Sequence, residues 1–285
     1  MNIEIKTNDK RLLVDGEFTT DSVIHTIRLY CSGSLITGRP QAVVTGAKIY
    51  VTDGIETFDY IENKDTLGLY QTAGKVGGIG GHNYTLSITN IDIDNDGKMD
   101  SYTANGLMPV PVQFYSMISY YGMNGDSIKG TVINKGYYHT FYNGPDYLFN
   151  YAIVNNKSYF TLTDELGGGE LIDKSLLKIT KVNTPGLTAN GFSYFSMEPT
   201  LVNVTKGDTI TMVDFNFTQD QYEFLKEFDN NTSSNDLFDS ENIFDQLKIP
   251  ANLPTNIEPS DKAAGYFFIY SISKISKVFT EQIQN

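Results

Sequence analysis

The chain has 285 residues, of which 40% are hydrophobic and 13% aromatic, and it carries a formal net charge of -13. This length fits two domains of ordinary size, and the composition is that of a chain that folds. The negative charge argues against binding to the phosphate backbone of nucleic acids, because that contact draws on clustered Lys and Arg. With a single cysteine, Cys31, the chain cannot form an internal disulfide framework.

Residue preferences favour strands over helices. The chain contains 19 Tyr and 17 Phe, and these side chains, together with plentiful Thr, Ile and Val, fit a pleated sheet surface. No apolar stretch approaches the length needed to span a bilayer. The first residues, Met1 to Glu4, lack the hydrophobic core of a signal peptide, which by itself indicates a cytosolic protein.

The first predicted domain is an immunoglobulin-like or fibronectin-like β-sandwich over residues 1–107. Short runs with period-two alternation are separated by turn residues about every ten positions, as such a sandwich requires. A hairpin is predicted where Asp53 and Gly54 interrupt two of these runs. The predicted strands of this domain are 12–14, 25–31, 47–51, 58–61 and 84–88.

The second predicted domain is another β-sandwich, over residues 108–285. The boundary is placed at residues 108–112, because Pro109 and Pro111 keep the chain extended and stiff there. Beyond this connection the strand pattern resumes. The predicted strands are 114–121, 130–134, 147–154, 159–162, 192–198, 209–217 and 265–272.

A helical insert near residues 218–249 interrupts the second domain. Thr218 and Gln221 form a capping box, and apolar residues then recur at helical spacing, so a helix of about three turns is predicted to end near Asn231. A second short helical pattern begins at Ser240. Prolines stop that pattern before the chain returns to a strand.

The sharpest local motif is a calcium-loop pattern at residues 92–100. Loops of this type place oxygen ligands at alternate positions, a glycine at the sharp turn and a further acid at the ninth position. The twelfth position holds Thr103 and not the usual bidentate Glu, and the flanks are predicted strands, so the closest analogue is a hairpin calcium loop. The alternative is a polar hairpin turn without metal, for which the same residue types are favoured. The predicted ligands are Asp92, Asp94, Asp96 and Asp100, with Gly97 at the turn.

Aromatic side chains are dense in residues 137–151 and could stack on a sugar, a haem or another flat ligand. The alternative is that they fill the second core, as Tyr and Phe often do. The glycines at 74–81 and 167–169 match no nucleotide-binding motif, because neither stretch ends in Gly-Lys-Ser/Thr or opens a helix. Flexible loops are therefore expected at both places. The aromatic residues are Tyr137, Tyr138, Phe141, Tyr142, Tyr147, Phe149 and Tyr151.

No catalytic residues are predicted, and the protein is expected not to be an enzyme. The three histidines, at positions 25, 82 and 139, are far apart in sequence and lack metal-ligand spacing. Cys31 alternates with apolar residues, which is typical of a buried strand cysteine. The neighbouring carboxylates Asp164 and Glu165 would point to opposite faces of a strand, which suits a hydrolase pair poorly.

The order of several motifs resembles a family of uncharacterised Bacteroidetes surface lipoproteins, commonly encoded beside TonB-dependent outer-membrane receptors. The likeness covers nearly the whole chain, and the element at 46–53 is also similar to carboxypeptidase-regulatory-like sandwiches. The motifs are Leu12-Leu13-Val14-Asp15-Gly16, His25-Thr26-Ile27-Arg28-Leu29, Gly46-Ala47-Lys48-Ile49-Tyr50-Val51-Thr52-Asp53, Tyr84-Thr85-Leu86, Lys206-Gly207-Asp208 and Gly265-Tyr266-Phe267.

The resemblance implies an outer-membrane lipoprotein of the cell envelope, held by an N-terminal lipid anchor that the given sequence does not include. It implies no catalytic residues and no agreed ligand. Three functions are weighed: an accessory ligand- or partner-binding component of a TonB-dependent uptake system, a structural or adhesive surface module, and a hydrolase. The first is favoured, with a TonB-dependent receptor as partner and Ca²⁺ as the one cofactor considered.

Overall fold

The computed structural model describes residues 10–32, 42–124, 127–139, 146–155, 157–160, 180–182, 193–202, 206–231 and 254–280. Most of these residues lie in β-strands, and this part of the chain contains one helix. The prediction of a mainly β protein is confirmed. Among the described residues, no helix has the length and apolar character needed to cross a membrane.

The chain divides into two compact units that alternate along the sequence. The first division, after Pro109, lies next to the predicted boundary after Leu107. The two predicted domains, 1–107 and 108–285, are each contiguous in sequence. The two units are not, because segments near the C-terminus belong to the first unit. Unit 1 comprises the described residues of Met1–Pro109, Lys226–Asn231 and Phe244–Tyr270, and unit 2 comprises those of Val110–Leu225, Thr232–Ile243 and Ser271–Asn285.

Unit 1 is built on a path of hydrogen-bonded strands in the order β17-β1-β2-β6-β5-β4-β7-β8-β16, with β3 on the edge of β2. Only the first half of β17 belongs to this unit. The strands are β1 (Leu12–Thr19), β2 (Thr26–Cys31), β3 (Ala42–Val43), β4 (Lys48–Thr52), β5 (Thr57–Glu62), β6 (Leu69–Thr72), β7 (Asn83–Ile91), β8 (Asp100–Leu107), β16 (Ile257–Glu258) and β17 (Ala263–Val278).

The core of unit 1 follows the predicted period of two. On β7, Tyr84, Leu86 and Ile88 share one face and are fully buried. The predicted hairpin at Asp53 and Gly54 is also present, since β4 and β5 pair across it. Core residues come from every principal strand, including Phe267 and Ile269 of β17 and Ile257 of β16.

A parallel pair between β1 and β17 joins residues more than two hundred positions apart. The register runs from Leu12 opposite Ala263 to Thr19 opposite Tyr270. Gly265 lies in this pair with a φ of +89°, and a Cβ at that position would lie 2.0 Å from the carbonyl oxygen of Val14. The close approach of the two strands therefore depends on a glycine at position 265.

The described residues of unit 2 form strands of two sheets. One has the order β12-β11-β15-β17, with β13 on β11 and with the second half of β17, and the other has the order β14-β10-β9. The strands are β9 (Gln113–Asn124), β10 (Ser127–His139), β11 (Asp146–Val154), β12 (Lys157–Phe160), β13 (Thr180–Val182), β14 (Ser193–Val202) and β15 (Thr209–Phe217).

The predicted helix is present as α1 (Gln219–Asn231). Its capping box is formed in both directions: the Thr218 hydroxyl accepts from the Gln221 amide at 3.4 Å, and the Gln221 side chain accepts from the Thr218 amide at 3.1 Å. These bonds satisfy two backbone donors that a helix start leaves without intrahelical partners. The second helical pattern, beginning at Ser240, lies outside the described residues.

Candidate metal centre and surrounding surfaces

The predicted calcium motif forms the turn between β7 and β8, and we call residues 92–100 the aspartate loop. The strand flanks are confirmed, because Ile91 pairs with Asp100 at the base of the loop. Ile93 is 6% exposed and anchors the loop on the core of unit 1. Asn95 and Gly97 take positive φ values of 59° and 85°, which reverse the chain direction. Both residue types tolerate this left-handed conformation.

Carboxylates of the aspartate loop hold its own backbone. The two oxygens of Asp92 accept hydrogen bonds from the amides of Asp96, at 3.1 Å, and Gly97, at 2.9 Å. Asp100 Oδ2 accepts from the amide of Ile93 at 3.0 Å. These bonds fix the loop in its folded shape, and each oxygen retains a further lone pair that a cation could use.

Three of the four predicted ligands come together. One carboxylate oxygen from each of Asp92, Asp94 and Asp100 lies within 4.8 Å of the others. Two oxygens that each lie about 2.4 Å from a Ca²⁺ ion can be at most about 4.8 Å apart, so this spacing is compatible with a shared ion. Asp94 is exposed and the other two are half-buried.

Asp96, the fourth predicted ligand, is not in this group. Its Oδ1 accepts from the Lys98 amide at 2.8 Å, and its Oδ2 lies 3.6 Å from the Lys98 ammonium. The Lys98 amide is the main cause that lowers the pKa of Asp96. The twelfth motif position, Thr103, pairs with Ser87 in the β7–β8 ladder. The geometry therefore favours three carboxylate ligands, not four.

Lys262 reaches the aspartate loop from the turn before β17. Its ammonium lies 3.4 Å from Asp100 Oδ1 and 3.7 Å from Asp94 Oδ2. The hydrogen bond to Asp100 is the largest of the causes that raise the pKa of Lys262. The ammonium contacts two of the three clustered carboxylates, so the cluster keeps an excess of negative charge. The sequence offered no signal for this residue, which is 162 positions from Asp100.

The histidines at positions 25 and 82 both lie in unit 1, His25 just before β2 and His82 just before β7. His82 Nδ1 donates to Asp53 Oδ2 at 2.8 Å, and the Asp53 side chain is 4% exposed. Asp53 also accepts from the amides of Glu56 and Ile55. The Glu56 bond, followed by the bonds from His82 and Ile55, lowers the pKa of Asp53 to about 2.

A second histidine, His25, is buried. Its side chain is 2% exposed, and Nε2 lies 3.0 Å from the carbonyl oxygen of Val76. The ring packs against Phe18, with centroids 4.8 Å apart. Burial is the main cause that lowers the pKa of His25.

No zinc-type group of histidine, cysteine and carboxylate ligands occurs among the described residues. Within this part of the chain, the aspartate loop is the one group with metal-binding spacing.

Several other predicted features involve residues or side chains outside those described. Asp164, Glu165 and the glycines at 167–169 lie outside the described residues. Residues 137–139 and 146–151 of the aromatic-rich region lie in β10 and β11, but their side chains are not among those described. Cys31 is half-buried at the end of β2, and burial raises the pKa of its thiol, which does not favour a nucleophile.

Large apolar side chains are exposed at the end of unit 1 opposite the aspartate loop. The antiparallel register places the turn after β1, the turn after β4 and the connection before β7 at this end. Val23 in the first of these turns also pairs with Val76 in the connection. We call the exposed set the apolar end. Its members and their exposed fractions are Val23 (41%), Ile24 (50%), Ile55 (83%) and Ile79 (54%).

Comparison with known proteins gives one assignment. A search of curated proteins found no match to this chain. The sequence model of a family described as a domain of unknown function, DUF4249, matches residues 1–276. This match spans both units and the aspartate loop. The chain therefore belongs to the DUF4249 family.

Proposed function

We propose that this protein is a non-enzymatic, partner-binding component of the bacterial cell envelope, an outer-membrane lipoprotein that serves a TonB-dependent uptake system. The apolar end is the observation that carries the binding role. Soluble proteins rarely cluster large apolar side chains on their surface unless the surface contacts another molecule. The resemblance of the sequence motifs to lipoproteins encoded beside TonB-dependent receptors suggests the class of partner.

The character of the apolar end fits a protein partner. Ile24, Ile55 and Ile79 are each at least half exposed, and burial of such side chains contributes about 1.5–3 kcal/mol each. The surrounding loops are held by backbone bonds, such as the Val23–Val76 pair. A pre-ordered apolar surface binds with a smaller loss of conformational entropy than a loose one.

The binding role is tested by affinity capture from the host's envelope extract with the full chain. The test variant is Ile24→Ser combined with Ile79→Ser. The matched control is Ile61→Ser combined with Leu67→Ser, because these side chains are similarly exposed, at 61% and 59%, outside the apolar end. We expect the unmodified chain and the control to recover a TonB-dependent receptor and the test variant to lose it. Equal recovery by all three chains, or no receptor with any chain, would contradict the proposal.

A second candidate is a calcium-stiffened structural or adhesive surface module, and the aspartate loop favours it. We propose that Ca²⁺ binds Asp92, Asp94 and Asp100 and displaces the Lys262 ammonium. The ion would add backbone or water oxygens to reach its usual coordination number of six to eight. Its role would be to stabilise the β7–β8 turn and not to catalyse a reaction.

Calcium titration of the melting temperature tests this site, with Mg²⁺ as the control ion. We expect millimolar Ca²⁺ to raise the melting temperature of the unmodified chain. Asp94→Asn should abolish the rise, whereas Asp96→Asn should retain most of it, because Asp96 lies outside the carboxylate group. An unchanged melting temperature in the unmodified chain would remove the calcium site and leave the apolar end unaffected.

We infer that unit 1 is the immunoglobulin-like sandwich expected from the sequence, closed by β17. The contact between Gly106 of β8 and Ile269 of β17 supports this inference, because a Cβ at Gly106 would lie 2.9 Å from the Ile269 side chain. Strands from opposite ends of the hydrogen-bonded path thus face one another across the core. The two-sandwich arrangement of the whole chain remains a prediction.

A further inference from the structure

The connection between β6 and β7, residues 73–82, is a glycine-rich segment that lies against the apolar end, and we call it the glycine strap. Its glycines suggested a flexible loop, but the structure holds it closely. A Cβ at Gly77 would lie 2.6 Å from the Thr20 carbonyl oxygen, and one at Gly78 would lie 2.5 Å from the Met108 side chain. The strap therefore sits directly on the turn after β1 and on the core.

Backbone hydrogen bonds hold the strap along its length. Five amides of the strap donate to acceptors elsewhere in unit 1 or within the strap. The bonds are Val76 N to Val23 O at 2.9 Å, Gly78 N to Thr19 O at 2.7 Å, Ile79 N to the Tyr84 hydroxyl at 2.8 Å, Gly81 N to Met108 O at 2.8 Å and His82 N to Ile79 O at 3.2 Å.

The two histidines of unit 1 hold opposite ends of the strap. His25 contacts the carbonyl of Val76 near its start, and His82 at its end donates to Asp53. Phe18 packs on both His25 and Tyr84, with centroids 4.8 and 5.0 Å apart, and Tyr84 stacks beside His82 at 6.5 Å. The surface on which the strap packs is therefore a cluster of aromatic rings.

The surroundings of His25 are unfavourable for a second proton on its ring. A carbonyl oxygen only accepts, so His25 Nε2 carries the hydrogen and Nδ1 of the neutral ring is a bare acceptor. Among the described residues, Nδ1 has no hydrogen-bond partner and is buried. Adding a proton there places a charge in a buried site, which is costly unless the charge is fully paired.

The charged groups around His25 give little compensation. The backbone carbonyls of Val76 and Asp21, and then the Asp21 carboxylate, favour the protonated ring, but burial outweighs them and lowers the pKa of His25. Lys75 on the strap is exposed. Its charge is positive, so it cannot pair with a protonated His25 ring. The rings of Phe18 and Tyr84 carry no charge. His82, in contrast, already donates to the carboxylate of Asp53.

We propose that the glycine strap is an acid-sensitive clasp: protonation of His25 releases its first half, residues 73–79, from the turn after β1, while His82 and Asp53 retain its second half. The trigger is a proton taken up at His25 Nδ1. The open state exposes the ring to water, where the charge is solvated. Because the strap carries Ile79, opening would also alter the apolar end, and this last consequence alone depends on the proposed binding role.

The direction and size of the effect follow from proton linkage. The neutral form of His25 is favoured in the closed state, so the closed state has its full stability above the ordinary histidine pKa and loses it as the pH falls. When one site binds a proton only after opening, the opening constant rises about tenfold between about pH 7.5 and about pH 5.5. Burial lowers the pKa of His25 in the closed state, in agreement with this direction.

Residue-resolved hydrogen exchange on the full chain tests the clasp, with protection factors corrected for the intrinsic rate at each pH. We expect protection of the Val76 and Gly78 amides to fall about tenfold over that pH range. The Ala47 and Ile93 amides, which bond to Tyr70 and Asp100 at the far end of unit 1, should not change. Constant protection of the strap, or an equal fall at the far amides, would overturn the proposal.

Two matched variants assign the effect to one histidine. His25→Gln keeps a side-chain donor for the Val76 carbonyl but does not titrate, so strap protection should become independent of pH. His82→Gln should keep the pH dependence of the first half of the strap. The opposite pattern would overturn the assignment. If His25→Gln does not fold, the NMR titration of His25 in the unmodified chain decides instead, and a ring that stays neutral while the strap opens would refute the clasp.

Discussion

Substitution of Gly265 by alanine tests the parallel pair that joins β1 to β17. Two costs are expected to add. The φ of +89° is unfavourable for a side chain and costs about 1–2 kcal/mol. The new Cβ would also lie 2.0 Å from the Val14 carbonyl oxygen, so the strands must separate and weaken hydrogen bonds worth about 1 kcal/mol each. Together these costs predict a loss of about 3–5 kcal/mol in the free energy of unfolding.

The matched control is Gly54→Ala. Gly54 has nearly the same backbone angle, a φ of +86°, but nothing lies within 4 Å of its Cβ position. The control should therefore show the conformational cost alone, about 1–2 kcal/mol. Urea unfolding followed by circular dichroism measures both variants. Equal destabilisation by the two substitutions would refute the reasoning, because the close contact with β1 would then contribute nothing.

Three further predictions concern local features. Tyr70→Phe should destabilise the chain by about 1–3 kcal/mol in urea unfolding, because the hydroxyl bonds two backbone groups of the loop before β4; a loss below 0.5 kcal/mol, on the order of experimental error, would contradict this role. The pKa of Asp53 is depressed to about 2, so the stability that it contributes should be present above about pH 4 and be lost as the pH falls through about 2. Asp53→Asn should flatten that acid limb of the stability profile, and an unchanged limb would exclude Asp53 as its source. Thr218→Ala should cost about 1 kcal/mol and reduce protection of the first helical turn in hydrogen exchange; protection equal to that of the unmodified chain would show that the capping box does not stabilise the helix.

Features set by neighbouring residues could be predicted from the sequence. The hairpin at Asp53 and Gly54 and the capping box of Thr218 and Gln221 are examples, because turn and cap preferences act over a few residues. Both are present in the structure. The alternation of buried residues along β7 was also readable from the sequence alone.

Features that depend on distant contacts could not be predicted. The pairing of β1 with β17 joins the two ends of the chain, and strand order over such separations depends on packing and not on local pattern. The same limit applies to the aspartate loop. Its motif indicated Asp96 as a ligand, but local bonds to Lys98 direct that carboxylate elsewhere. Lys262 enters the loop from a remote turn that no spacing rule covers.

The shared strand β17 has a consequence for any attempt to divide the chain. Residues 263–270 pair with β1, whereas residues 271–278 pair with β15. A fragment that stops at Leu107 would leave β1 as an unprotected sheet edge, and bare edges of this kind promote aggregation. The complementary fragment would carry the apolar first half of β17 without its partner strand. Truncation at residues 108–112 is thus expected to yield two insoluble pieces. Deletion studies of this protein are better designed around single loops.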